Sequence, residues 1–305
     1  MVLLLAACSS TAPDAPERST AGWRTLESAP NQRTEVAAAA AGGRIYVAGG
    51  FVPPGRTVGI VEIYDTASDT WSRGPDLPLP VNHAMAASLD GAFYVMGGYA
   101  GDTDLSAPTD RAFALRDDRW VELPRMPEVR AAAGAAAIGG KIYVAGGVGP
   151  EGLADSTLVF DVATGTWSEA PGVPTPREHL GVATDGDRLF VTGGRPPNTD
   201  VLEAFDPVTG EWESLPDMPT ARGGLAATGT ANGLIVAAGG EAEDTFPEAE
   251  AYDVAAGDWF RLDGLPTPRH GLGVVAVGNT VYVIAGGPRP GFAFSGANEA
   301  IDLSG

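Results

Sequence analysis

The sequence predicts an all-β protein: six copies of one four-stranded antiparallel unit, set in a single ring. Two periodicities carry that reading. A short apolar run ending in a glycine pair recurs six times, at Gly49-Gly50, Gly97-Gly98, Gly146-Gly147, Gly193-Gly194, Gly239-Gly240 and Gly286-Gly287, at spacings of 46–49 residues. β-Branched and aromatic residues favour the pleat, and glycine ends the run where the backbone bends or another backbone comes close. Independently, all six tryptophans (Trp23, Trp71, Trp120, Trp167, Trp212 and Trp259) stand 26 or 27 residues before a glycine pair. A fixed period of this length marks an array. Composition agrees: 42 glycines and 25 prolines suit short strands joined by turns, and 44% hydrophobic residues supply a core. A chain of 305 residues would ordinarily suggest two domains. The repeat overrides that expectation.

The third copy is the clearest. The Trp120 strand leads into a proline-rich turn, Leu123-Pro124-Arg125-Met126-Pro127, and then to Arg130. Residues 131–138 are small and apolar, as for a strand tightly flanked by neighbours. Gly139-Gly140 reads as a turn between strands. The Ile142 strand follows, ending at Gly146-Gly147. A variable loop, 148–156, reaches the strand Leu158-Val159-Phe160-Asp161. A turn over 162–165 then reaches Trp167. The Asp161 carboxylate is expected to accept from the turn's N–H groups, with Gly165 at positive φ. Asp65, Asp206 and Asp253 hold the same place before their tryptophans, where the second copy has Ala114.

These units, with a small-residue strand, a strand ending in Gly-Gly, an aromatic-Asp strand and a Trp strand, resemble kelch repeats over residues 23–305. The resemblance implies a six-bladed β-propeller with one four-stranded blade per repeat. The last unit reaches Gly305 without a tryptophan strand, while Trp23 comes before any small-residue strand. The Trp23 strand is therefore expected to complete the sixth blade and remove an exposed edge.

Ahead of the ring, Leu5-Ala6-Ala7-Cys8 resembles the lipobox of bacterial lipoproteins, and Cys8 is the only cysteine. The resemblance implies a partial signal peptide over 1–8, diacylglyceryl attachment at Cys8, and a protein exported and lipid-anchored at the cell envelope, periplasmic or on the cell surface. Residues 9–22, rich in Ser, Thr, Ala and Pro, read as a flexible tether. The formal charge of −20, with Lys141 the only lysine, argues against a nucleic-acid partner and against docking on anionic lipid. Membrane attachment is expected only through the lipid anchor, and the ring is expected to be a monomer.

The site is sought at one mouth of the central channel. The start of each inner strand and the loop after each glycine pair share that mouth. Ten residues after each tryptophan stand Arg33, Val81, Arg130, Arg177, Arg222 and Arg269, five arginines in six. His83 and His179 lie two positions further on, and His270 follows Arg269. The loops 51–59, 99–110, 148–156, 195–200, 241–248 and 288–297 vary, as binding loops on a rigid scaffold do. Two readings stay open. Arginine's planar fork suits a carboxylate, so the mouth would take an acidic peptide or an acidic glycan; in some kelch proteins arginines near this mouth bind acidic peptides. Alternatively, the arginines belong to the repeat pattern and pair with backbone or loop carboxylates.

Several chemistries are set aside. Copper oxidases of the galactose oxidase kind need a cysteine cross-linked to tyrosine, and Cys8 lies outside the ring. No metal or cofactor is expected: the three histidines belong to units two, four and six with different offsets across a wide channel. Asp102-Thr103-Asp104 and Glu241-Ala242-Glu243-Asp244 lack the spacing of a calcium loop and read as solvated acids. Neither a nucleophile elbow nor a phosphate loop is present. Two function classes remain. One is a non-enzymatic module at the cell envelope that binds a protein or glycan. The other is a carbohydrate-active enzyme resembling kelch mutarotases that act on sialic acid, with Glu35, Glu178 and the histidines as acid/base candidates.

Overall fold

The computed structural model describes residues 22–304, apart from 103, 104 and 106. They form six four-stranded antiparallel sheets around one axis, a six-bladed β-propeller. The first blade runs Ala37–Ala41, Arg44–Ala48, Val61–Asp65 and Thr70–Arg73 from the axis outward. The next four repeat this order, beginning with the inner strands Met85–Leu89, Gly134–Ile138, Gly181–Thr184 and Ala226–Gly229. The sixth has Gly273–Val277, Thr280–Ile284 and Asn298–Asp302, and its outer strand is Arg24–Thr25 from the start of the chain. Arg24 pairs with Ala300 and Thr25 with Glu299, so the ring closes as the sequence predicts.

Small residues line the axis because six inner strands converge there. A Cβ on Gly181 would lie 2.7 Å from the Ala227 Cβ, and one on Gly273 2.6 Å from the Ala38 Cβ. Apolar side chains fill the wedges between blades. Val236 and Phe260 of the fifth blade, for example, pack with Val281 and Ile301 of the sixth. The periphery is tied by the tryptophans. Trp71 Nε1 donates to the Glu27 carbonyl (2.8 Å), Trp120 to Pro75 (2.9 Å) and Trp167 to Pro124 (2.8 Å). Trp23 closes the belt onto the Asp263 carbonyl at 2.7 Å.

The glycine pairs join neighbouring blades. The second glycine donates its N–H to the carbonyl ten residues after the next tryptophan: Gly50 to Val81, Gly147 to Arg177 and Gly194 to Arg222, each at 2.8 Å. In the sixth blade the pattern slips by one residue. Ala285 takes the left-handed φ of +57°, and Gly286 donates to Arg33. The working pair there is Ala285-Gly286, and Gly287 is an extra residue.

The Asp turns form as expected where they occur: Asp161 accepts from Thr164 N–H at 3.0 Å, and Gly165 has φ of +67°. The second blade differs because its turn is only two residues long. Asp117 and Asp118, with φ of +48° and +58°, join Ala112–Arg116 to Arg119–Glu122 directly. Arg116, paired with Arg119, therefore holds the Asp position, rather than Ala114.

Candidate functional site

The five arginines do not face the channel mouth as free cations, which corrects that expectation. Arg33, Arg130, Arg177, Arg222 and Arg269 are each 0–1% exposed. Each guanidinium turns into its own blade, where the second strand parts from the third at the glycine pair, and donates to carbonyls left there. Arg33 reaches Gly49 and Ile60 (3.0 Å each), and Arg177 reaches Gly193 (2.6 Å) and Val191 (3.0 Å). A buried carboxylate from the third strand balances the charge: Arg33–Glu62 at 2.8 Å, Arg177–Glu203 at 2.6 Å, Arg222–Glu250 at 2.5 Å and Arg269–Glu299 at 2.6 Å. In the third blade the partner is Glu128, from the loop before Arg130. The second blade replaces both partners together, with buried Val81 at the arginine's place and buried Phe113 at the register place of Glu62. The arrangement is the pairing alternative that the repeat pattern left open.

What converges on the axis is the position two residues further along. Glu35, His83, Ala132, His179, Gly224 and Gly271 stand twelve residues after the six tryptophans. All six have left-handed φ, between +50° and +72°. Their backbones form a hydrogen-bonded annulus: His83 N–H donates to Glu35 (3.2 Å), Ala132 to His83 (3.0 Å), His179 to Ala132 (2.8 Å), Gly224 to His179 (2.9 Å) and Gly271 to Gly224 (3.0 Å). Val36 N–H closes the circle onto Gly271 at 3.4 Å. Left-handed φ is cheap only for glycine, which fills two places. Glu35, His83 and His179 hold it at a cost, and their side chains border a cavity of about 130 Å³ at the mouth.

The histidines therefore do converge, against the expectation of a wide channel with mismatched offsets. The His83 and His179 rings are 4.9 Å apart, centroid to centroid. Glu35 Oε2 is 3.2 Å from His83 Nε2, and Oε1 is 3.2 Å from His270 Nδ1. His270 Nδ1 is also 3.4 Å from Glu241 Oε2, and its Nε2 is 3.1 Å from the Gly291 carbonyl. His179 Nδ1 lies 3.0 Å from Glu178 Oε1. Arg195 bridges Glu178 (3.5 Å) and Glu241 (2.9 Å). Glu241 is thus buried and paired rather than a solvated loop acid.

Burial pushes the His83 imidazole down to about 4, so it is neutral at pH 7, although Glu35 pulls the other way. Burial also works against a charged His270, but the Glu35 and Glu241 carboxylates outweigh it and raise its pKa. Burial favours a protonated Glu35, yet the surrounding histidines hold the carboxyl well below the usual range.

Asn82 sets the His83 tautomer. Its Nδ2 donates to Thr57 Oγ1 (2.9 Å), Tyr99 O (3.3 Å) and Gly101 O (3.3 Å), which places Oδ1 2.5 Å from His83 Nδ1. Sequence reasoning named Glu35, Glu178 and the histidines, missed Asn82 and Arg195, and read Glu241 as a solvated acid. The twelve-residue phase from each tryptophan was the available signal for the annulus. The three supporting residues hold repeating places, Asn82 eleven residues after Trp71 and Arg195 and Glu241 directly after their glycine pairs, but the residue type changes from blade to blade and gives no pattern to read. The lipidation candidate, Cys8, lies outside the described residues, as do residues 9–21 of the tether.

Comparison with known proteins agrees with this architecture. Kelch motifs match residues 32–78, 130–174 and 176–219. The chain is 35% identical over 150 residues to Kelch-like protein terF of Aspergillus terreus, covering 45% of this chain and 31% of that protein. It is 30% identical over 164 residues to Kelch domain-containing protein 8B of Rattus norvegicus, covering 50% and 46%. It is 32% identical over 124 residues to Kelch repeat protein M-T8 of Myxoma virus, covering 40% and 23%. The matches span less than half the length of each of these relatives.

Proposed function

We propose that this kelch-motif propeller is a binding module that takes a protein partner on its loop-bearing face. The observation that carries this reading is a set of exposed apolar side chains in the loops after the glycine pairs. Leu105, Leu153 and Phe292 are 46%, 38% and 54% exposed. Phe292 packs edge-on against Phe51 (5.2 Å), and Phe51 and Tyr99 both flank His83. Aromatic and apolar side chains around a mouth are the material of a protein interface. The opposite end carries short turns and one isolated apolar side chain, Val208.

The acidic-ligand reading loses its main support because the arginines are paired inside the blades. A sugar-converting site gains little, since about 130 Å³ at the mouth falls below the roughly 300 Å³ at which ligand pockets begin. The test is substitution on the two faces. Leu153→Asp with Phe292→Asp should leave the thermal midpoint unchanged and abolish co-purification of a partner from the native host, while Val208→Asp should leave capture intact. Equal capture by both variants would sink the proposal.

We propose further that a lipidated Cys8 displays this ring at the cell envelope, on the strength of Leu5-Ala6-Ala7-Cys8 alone. Cys8→Ser should then release the protein from the membrane fraction and abolish labelling by a fatty-acid analogue. Membrane retention of the unlabelled variant would overturn it.

A further inference from the structure

We propose that Glu35, His83 and His179 form a binding site for one divalent transition-metal ion at the centre of the annulus. One ligand atom from each lies within 4.8 Å of those of the other two, near enough for small side-chain shifts to bring all three onto a shared ion. Two imidazoles with one carboxylate suit zinc, iron or cobalt rather than calcium or magnesium, which prefer all-oxygen sets.

The supporting hydrogen bonds favour a cation over a bare cluster. Asn82 turns its Oδ1 onto His83 Nδ1, so that nitrogen carries the proton and Nε2 keeps its lone pair. That lone pair faces the Glu35 Oε2 at 3.2 Å. Two acceptors face each other at hydrogen-bond distance with no proton to share, and a metal ion between such atoms would satisfy both. On the far side the Glu178 carboxylate lies 3.0 Å from His179 Nδ1, close to the ring but without hydrogen-bond geometry. Metal-binding histidines are commonly oriented, as His83 is, by an amide or carboxylate behind the ring.

His270, drawn to Glu35 and Glu241, holds the outer Glu35 oxygen and is not counted as a ligand. The adjacent cavity of about 130 Å³ has room for several waters to complete the coordination shell. The annulus supports the same assignment. Glycine serves the left-handed position at Gly224 and Gly271, yet of the four other positions, all strained, three carry potential ligands and only Ala132 does not.

The experiment is titration of the metal-stripped full chain with Co²⁺, read by visible absorption, and with Zn²⁺, read by calorimetry. One ion per chain is expected, with a d–d band of low-symmetry Co²⁺. His83→Gln and His179→Gln should each weaken binding by about 100-fold or more, and Asn82→Ala by about 10–100-fold through loss of the ring's orientation. Should these variants fail to fold, the wild type decides alone: Zn²⁺ should protect His83 and His179 from carbethoxylation, read by mass spectrometry. No cobalt band and no heat in the wild type would overturn the proposal. So would unweakened binding in folded His83→Gln, or no zinc protection of the two histidines.

Discussion

Arg177 is buried with Glu203, and its energetics follow from that pairing. Removing one member of a buried ion pair strands the other charge, at a cost of about 3–5 kcal/mol, whereas replacing both with apolar groups is often near neutral. The protein carries such a replacement in its second blade, where Val81 and Phe113 stand in the two places. Arg177→Ala should therefore lower unfolding stability by about 3–5 kcal/mol, and Arg177→Val with Glu203→Phe should be more stable than the single variant. Urea unfolding of the two variants checks this; equal loss in both would show that repacking, not stranded charge, sets the cost. The arginine column was legible in the sequence because it keeps phase with tryptophan. Its partners were harder to see. Glu203 lies 26 residues after Arg177, Glu62 29 after Arg33, and the third blade draws Glu128 from only two residues before Arg130. Regular recurrence favoured pairing inside the blade over a ligand at the mouth, and the direction of the guanidinium settles it.

At the scale of the element, the outer strand of the sixth blade has the fewest contacts to spare. Arg24–Thr25 is two residues long, anchored by two pairings to Asn298–Asp302 and by the Trp23 indole on Asp263. A chain beginning at residue 22 keeps every contact described for the ring. One beginning at residue 27 loses the strand and exposes the edge of Asn298–Asp302. The first should melt with the full-length protein, and the second should melt lower and aggregate. Trp23→Ala alone should cost about 1–3 kcal/mol for the lost hydrogen bond and packing. Calorimetry of these four proteins checks the ring closure; coincident melting of all four would contradict it. This closure could be read from the sequence because the first and last repeats have complementary surpluses. The slip to Ala285-Gly286 could not, since Gly286-Gly287 satisfies the same two-letter pattern and only the hydrogen bond to Arg33 fixes the register.

At the scale of the whole molecule, the ring has two unlike ends. One carries short turns over strand ends, such as Gly139-Gly140 and the Asp206 turn. The other carries the six irregular loops, the exposed Leu105, Leu153 and Phe292, and the Glu35–His83–His179 cluster at its centre. The fold was legible because it repeats six times, so each local ambiguity is voted on by five other copies. The site was only partly legible because function breaks the repeat: annulus positions read Glu, His, Ala, His, Gly, Gly, and the residue after each glycine pair changes from Phe51, Tyr99 and Val148 to Arg195 and Glu241. The claim that binding belongs to the loop-bearing end is tested most directly by placing a photo-crosslinking amino acid at position 292 in one protein and at position 208 in another, in living cells. The account predicts a discrete adduct from 292 and none from 208. Adducts from 208 alone, or from neither position, would contradict it.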